Sequence, residues 1–114
     1  MESITTYNYV GNKVLINGHE NASAPATILG CLVIDGLIVL LLDPDKLNSN
    51  SNIYCYNVTG KLEWIIESFD ECNHQYFTSI YVLKDLKLYA YNINGVEAKI
   101  DFQTGKILST ELIK

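Results

Sequence analysis

Two stretches of this 114-residue chain nearly repeat each other. Asn52–Trp64 reads NIYCYNVTGKLEW, and Lys87–Lys99, 35 positions later, reads KLYAYNINGVEAK. Aligned without gaps, they match Tyr54 with Tyr89, Tyr56 with Tyr91, Asn57 with Asn92, Gly60 with Gly95 and Ile65 with Ile100. Each copy is an alternating run, a Gly-containing turn and a second alternating run, which is the pattern of a β-hairpin. Tyr54 and Tyr56 fall on one face of the outgoing strand and Ile53 and Cys55 on the other. Tyr89 and Tyr91 stand opposite Leu88 and Ala90 in the same way. The repeat therefore predicts two equivalent hairpins, about 52–66 and 87–101, within a meandering antiparallel sheet. The returning strands break the match. Leu62, Trp64 and Ile66 read as one buried face, but Val96, Ala98 and Ile100 have the opposite parity, so a bulge or a different covering face must intervene.

Turn signals punctuate the rest of the chain at short intervals: Gly11-Asn12, Asn17-Gly18, Asp35-Gly36, Asp43-Pro44, Thr59-Gly60, Asn94-Gly95 and Thr104-Gly105. Between them lie short runs of Val, Ile, Tyr and Leu, the spacing of an all-β protein. VIDGLI is the clearest hairpin, since Asp-Gly supplies the positive φ angles of a type I′ turn. The turns predict strands near 13–16, 27–34, 37–42, 53–57, 62–67, 77–83, 87–91, 96–101 and 107–112. Leu37–Leu42 is apolar on both faces and reads as a central, covered strand. Ser68–Gln75 reads equally as a short helix or a loop. KLNSNSN, 46–52, is a surface loop rather than a linker, because neither half alone could build a core. The expectation is one all-β domain over 1–114, an antiparallel meander folded as a sandwich or half-open barrel.

Composition narrows the partners. Hydrophobic residues make up 48% of the chain, and the net charge is −5 with every positive charge on Lys. A chain without Arg and with an acidic balance is a poor nucleic-acid binder, since phosphate and guanine recognition draw on clustered cations. An acidic surface suits a basic protein partner, or simply solubility. Cys31, Cys55 and Cys72 are odd in number and widely spaced, so they form no disulfide framework and read as reduced thiols in the cytoplasm. The opening MESITTYNYV lacks the pattern of a signal peptide, and the apolar stretch 28–42 is interrupted by Asp-Gly and short of the ~20 residues of a membrane span.

No catalytic, cofactor or metal signature stands out. Cys72-Asn73-His74 with Asp70 and Glu71 offers soft ligands, but not the paired spacing of a zinc site. Cys72 and His74 are too close along the chain for an ordinary nucleophile–base pair. QTGKI lacks the first Gly and the Ser/Thr of a phosphate loop. Two groups remain as partner-binding candidates. One is the acidic loop with Asp70, Glu71, His74 and Tyr76; the other is the set Tyr54, Tyr56, Tyr89 and Tyr91, whose rings suit either cross-strand packing or a protein interface.

NIYCYNVTGKLEW and KLYAYNINGVEAKIDFQTGK resemble the blade repeat of quinoprotein-like β-propellers, with an Asp/Asn-x-x-(T)-G-K turn. They resemble more closely a group of short bacterial proteins built from two or three such units, some similar to immunity proteins of polymorphic toxin systems. The resemblance covers 52–106. A blade needs ~40 residues, so this chain supplies at most two or three and no closed propeller, and the family's quinone and calcium sites do not carry over. The resemblance implies a non-enzymatic, cofactor-free binding protein, most concretely an inhibitor that occludes a basic toxin domain. The alternative expectation is a structural module whose sheet edges or Tyr faces pair into a homo-oligomer.

Overall fold

The computed structural model describes residues 5–67 and 75–113. Eleven strands and one helical turn follow in order: β1 (Tyr7–Val10), β2 (Lys13–Ile16), β3 (His19–Ser23), β4 (Ile28–Ile34), β5 (Leu37–Leu42), α1 (Pro44–Leu47), β6 (Ile53–Asn57), β7 (Leu62–Ile65), β8 (Phe77–Val82), β9 (Leu88–Asn92), β10 (Val96–Ile100) and β11 (Ile107–Leu112). They make three antiparallel sheets, each a simple meander: β1–β2–β3, β4–β5–β6–β7 and β8–β9–β10–β11. The all-β meander expected from the turns is thus present as a layered sandwich, with no closed barrel among the described residues.

The strand β5 decides the layering. From Ile38 to Leu42 no residue is more than 5% exposed. Ile38, Leu40 and Leu42 pack with Val14, Ala24, Ala26, Ile28 and Tyr56, under the N-terminal sheet. Val39 and Leu41 face the other way, into a cluster with Ile53, Cys55, Trp64, Ile66, Phe77, Leu88, Ala90, Ala98 and Ile100. An apolar run with no polar alternation has to be covered on both sides, so the sheet that holds β5 is the middle layer.

The turns match the sequence closely. Asp35 and Gly36 both have positive φ (51° and 77°), the type I′ geometry expected of VIDGLI. In the two repeated hairpins an Asn side chain builds the turn. Asn57 Oδ1 accepts from the amides of Thr59 and Lys61 (2.9 and 3.1 Å), and Asn92 Oδ1 from those of Asn94 and Val96 (both 3.0 Å). Asp101 begins a third such turn before Gly105. The parity conflict resolves as a bulge in β7. Cys55 pairs with Trp64 but Tyr56 with Leu62, leaving Glu63 as the extra residue, whereas β9–β10 pairs without a shift. The bulge returns Glu63 to the turn, where its carboxylate accepts from Asn57 Nδ2 at 2.8 Å. The second hairpin lacks this acid, and Asn92 Nδ2 is buried without a hydrogen-bond partner among the described residues.

Two buried ties join the central and C-terminal sheets. Asn52, fully buried, donates from Nδ2 to the carbonyls of Leu42 (2.9 Å) and Phe77 (3.0 Å) and accepts from the Phe77 amide (2.9 Å). Trp64 donates from Nε1 to the Phe102 carbonyl at 2.8 Å, and its ring lies under Gly105, where φ is +78° and an added Cβ would come within 2.5 Å of the indole. Asn52→Ala leaves a buried amide and two carbonyls without this partner. Each such orphan costs about 1–3 kcal/mol, so urea unfolding should show a loss of roughly 3 kcal/mol; a loss within ~0.5 kcal/mol, the ordinary range for surface substitutions, would remove Asn52 from this role.

Candidate functional site

The repeat equates the Tyr54/Tyr56 face of β6 with the Tyr89/Tyr91 face of β9, but the structure treats them differently. Tyr56 is buried and Tyr54 half-buried against the cluster under the N-terminal sheet. The equivalent face of the C-terminal sheet carries no such layer among the described residues. Tyr89 and Tyr91 therefore stand half-exposed on an open sheet, while Leu88, Ala90 and Asn92 of the same strand are buried beneath them.

Register assembles the rest of this face. Tyr81 lies opposite Tyr89, with Lys99 and then Ser109 beyond it; Ser79 lies opposite Tyr91, with Glu97 and Glu111 beyond. Residues directly opposed on neighbouring strands share a face, so two rows of four side chains run across the sheet. The Tyr81 and Tyr89 rings stack, with centroids 6.1 Å apart and planes 7° from parallel. Each phenol donates to a carboxylate: Tyr81 to Glu97 by a short hydrogen bond, and Tyr89 to Asp85 Oδ2 at 2.5 Å. Lys99 Nζ reaches the same Asp85 oxygen at 3.9 Å, and Tyr91 donates to the Ile113 carbonyl at 3.3 Å. A shallow hollow of about 230 Å³ lies among Leu83, Tyr89, Glu97, Lys99 and Glu111.

The β8–β9 turn rims this face and contains an unusual residue. Leu86 has φ +61° and is 73% exposed, while Leu83 beside it is 42% exposed. Left-handed backbone costs an L-residue roughly 1–2 kcal/mol relative to glycine, and an exposed leucine recovers nothing by burial.

Electrostatics follow the hydrogen bonds. Donation to Asp85 pushes the Tyr89 phenol up to about 12, and the same bond, with the Lys87 amide and the charges of Lys99 and Lys87, holds Asp85 below the ordinary carboxylate value. Tyr81 is raised further, first by burial and then by its bond to Glu97. A raised tyrosine favours the fold below its ordinary pKa and loses that contribution as pH climbs through the folded value; the depressed Asp85 contributes above its ordinary pKa and loses it as pH falls. Burial raises both Cys31 and Cys55, the latter to about 12 with help from Glu63, which suppresses thiolate. Among the described residues no three His, Cys, Asp or Glu side chains gather as a metal site.

Of the sequence-predicted site residues, Tyr89 and Tyr91 come together on the open face. Tyr54 and Tyr56 belong to the layer under β1–β3. Tyr76 lines a separate polar hollow of about 630 Å³ with Pro44, Asp45, Asn48, Ser51 and Gln75. Asp70, Glu71 and His74 lie outside the described residues, as does most of the helix-or-loop segment 68–75. Sequence reasoning missed Tyr81, Asp85, Glu97, Lys99 and Leu86. The register of β8 on β9 would have found Tyr81, and the parity of β10 would have found Glu97 and Lys99.

A family model matches residues 4–112, which includes every strand of the fold. The chain belongs to the family described as Domain of unknown function (DUF7957). No curated protein matches it. Among solved structures, this DUF7957 chain is similar to the crystal structure of the computationally designed Ika8 protein, with 13% identity and a TM-score of 0.48. The similarity covers 100% of this chain and 51% of the designed one, so the DUF7957 chain spans about half that protein's length. No described helix is long and apolar enough to cross a membrane.

Asp85→Asn should bring the Tyr89 titration back from about 12 toward the ordinary value of 10.0 while leaving Tyr81 late. Phenolate absorbance against pH reads this directly, and an unchanged profile would contradict the pairing. Leu86→Gly relieves the strained turn at the expense of a more flexible unfolded chain, so it should stabilise by up to ~1 kcal/mol; destabilisation in urea would show that the leucine supports the fold.

Proposed function

We propose that the chain is a non-enzymatic, cytoplasmic protein-binding module that docks a basic protein partner on the outer face of its C-terminal sheet. One observation carries the reading. Tyr81, Tyr89 and Tyr91 are arranged on an open sheet face with Asp85, Glu97 and Glu111, beside Lys99 and with Lys87 close to Asp85. Stacked, hydrogen-bonded tyrosines offer rigid contact area at little entropic cost, and an acidic surround steers and orients a Lys- or Arg-bearing surface. The net charge of −5 has the same sense. Leu86 supports the reading too, since an exposed leucine held in a strained turn fits an apolar anchor better than a structural residue.

The most concrete form of this proposal is an immunity-type inhibitor, as the blade-like repeats of 52–106 and their resemblance to small bacterial immunity proteins suggest. Such an inhibitor acts by occlusion. The tyrosine face covers the partner's active cleft, and the carboxylates pair with the cations that line it.

Tagged protein is used to capture partners from its own cells, and a captured basic protein is then purified and titrated against two double variants, Glu97→Lys with Asp85→Lys and Tyr89→Ala with Tyr91→Ala. The proposal expects one stoichiometric partner whose toxicity is abolished on co-expression. Each variant should weaken its binding at least about tenfold, the effect of one ~1.4 kcal/mol contact, and salt should weaken it as well. A partner that binds both variants as tightly as the unaltered protein would rule out this face.

A further inference from the structure

Lys99 stands beside the place a cationic partner has to enter. It lies in the row between Tyr89 and Ser109, and in the next row Glu97 and Glu111 oppose each other directly. Glu97 is two residues back on the same strand face, and Glu111 is the diagonal neighbour, within reach of a long side chain. Lys99, Glu97 and Glu111 line the same hollow of about 230 Å³. Like charges opposed on neighbouring strands repel, so a lysine here is the counter-ion that the pair calls for. It goes elsewhere. Among the described residues Lys99 forms its ion pair with Asp85, at 3.9 Å, and neither Glu97 nor Glu111 forms one.

Asp85 is placed to draw the ammonium away. Its carboxylate accepts at both oxygens, at Oδ1 from the Lys87 amide (3.0 Å) and at Oδ2 from the Tyr89 hydroxyl (2.5 Å). The turn that carries it is closed by the Leu86 amide, which donates to the Leu83 carbonyl at 2.9 Å. These bonds fix a negative charge at the rim of the face, and the Lys99 ammonium reaches toward the oxygen that Tyr89 already holds. Lys87, the other cation near Asp85, lines a separate hollow with Ile100, Asp101 and Leu108.

We propose that Asp85 is a positioning residue for the docking face: it parks Lys99 clear of Glu97 and Glu111, so that this pair is left to a Lys or Arg side chain of the partner. Without the Asp85 charge, Lys99 swings to the two glutamates and the protein's own ammonium takes the partner's place. The role rests on the basic-partner reading of this face and adds to it a self-blocking contact that one residue holds off. An Asp85 that only added to the acidic field would cost the same when neutralised whether or not Lys99 were present. An Asp85 that parks Lys99 costs more when the lysine is there to fall back.

A dye-labelled octa-arginine peptide serves as the cationic probe, followed by fluorescence anisotropy at low salt. It is titrated against the unaltered chain, Asp85→Asn, Lys99→Met and the double variant. Asp85→Asn should weaken binding about fivefold more in the unaltered background than beside Lys99→Met, since one unit-charge contact at ~4 Å in water is worth about that factor. Lys87→Met should leave the Asp85→Asn loss in place. The swing of the lysine is read with no ligand present. The side-chain carboxyl carbon resonances of Glu97 and Glu111 should shift in Asp85→Asn and return in the double variant. An Asp85→Asn loss that is equal with and without Lys99, or carboxyl resonances that do not respond to Lys99, overturns the proposal and leaves the basic-partner reading standing. A peptide that binds none of the chains, or binds as well after Glu97→Gln with Glu111→Gln, overturns that reading and the positioning role with it.

Discussion

Everything in this fold is arranged around the double burial of β5. A strand reading Leu-Ile-Val-Leu-Leu-Leu cannot lie at a surface, and two neighbouring strands satisfy only its backbone. Its side chains need a layer on each side. The N-terminal sheet supplies one through Val14 and the adjoining Ala24 and Ala26, and the C-terminal sheet supplies the other through Phe77, Leu88 and Ala90. Burial of one such aliphatic side chain is worth roughly 1.5–3 kcal/mol, so this strand alone accounts for a large part of why three short meanders stay together.

Apolar burial sets the layers but not their relative position, because it has no direction. Directional contacts fix that. Asn52 ends β5 and begins β8 at once through Leu42 and Phe77, and the Trp64 indole is fixed between the Phe102 carbonyl and the bare backbone of Gly105. Both ties join elements far apart in sequence. Where the N-terminal sheet meets the β6–β7 turn, the Asn21 carboxamide fits between the Val58 carbonyl and the Gly60 amide. Such contacts convert a hydrophobic stack into one specific packing.

The sequence carried local structure well and layering poorly. Leu37–Leu42, Lys13–Ile16, Ile53–Asn57 and Ile107–Leu112 were legible to the residue, because turn residues bound them. β1 and β3 were not, since YNYV and HENAS are short and polar and become strands only by pairing with β2. Asp43-Pro44 reads as a turn, yet the Asp43 carboxylate caps the Asp45 amide at 3.0 Å with Pro44 at the first helical position, enough for one turn of helix. The bulge at Glu63 was legible only as a clash of parity. Tyr54 and Tyr89 have the same local sequence signals, and what separates them is which sheet has a third layer above it. No local pattern encodes that, so half of the tyrosine set was visible from sequence and its partners Tyr81, Asp85 and Glu97 were not.

That asymmetry links fold to proposed function: the layer that covers Tyr56 has no counterpart over Tyr89 among the described residues, and the uncovered face is where the phenol–carboxylate pairs sit. The central claim beneath it is that β5 is the innermost strand of one cooperative stack. Native-state hydrogen exchange tests it most directly. The account predicts that the amides of β5 and β6 exchange slowest and only through global unfolding, with those of β1–β3 released earlier. Exchange of β5 together with, or ahead of, the N-terminal sheet would contradict it.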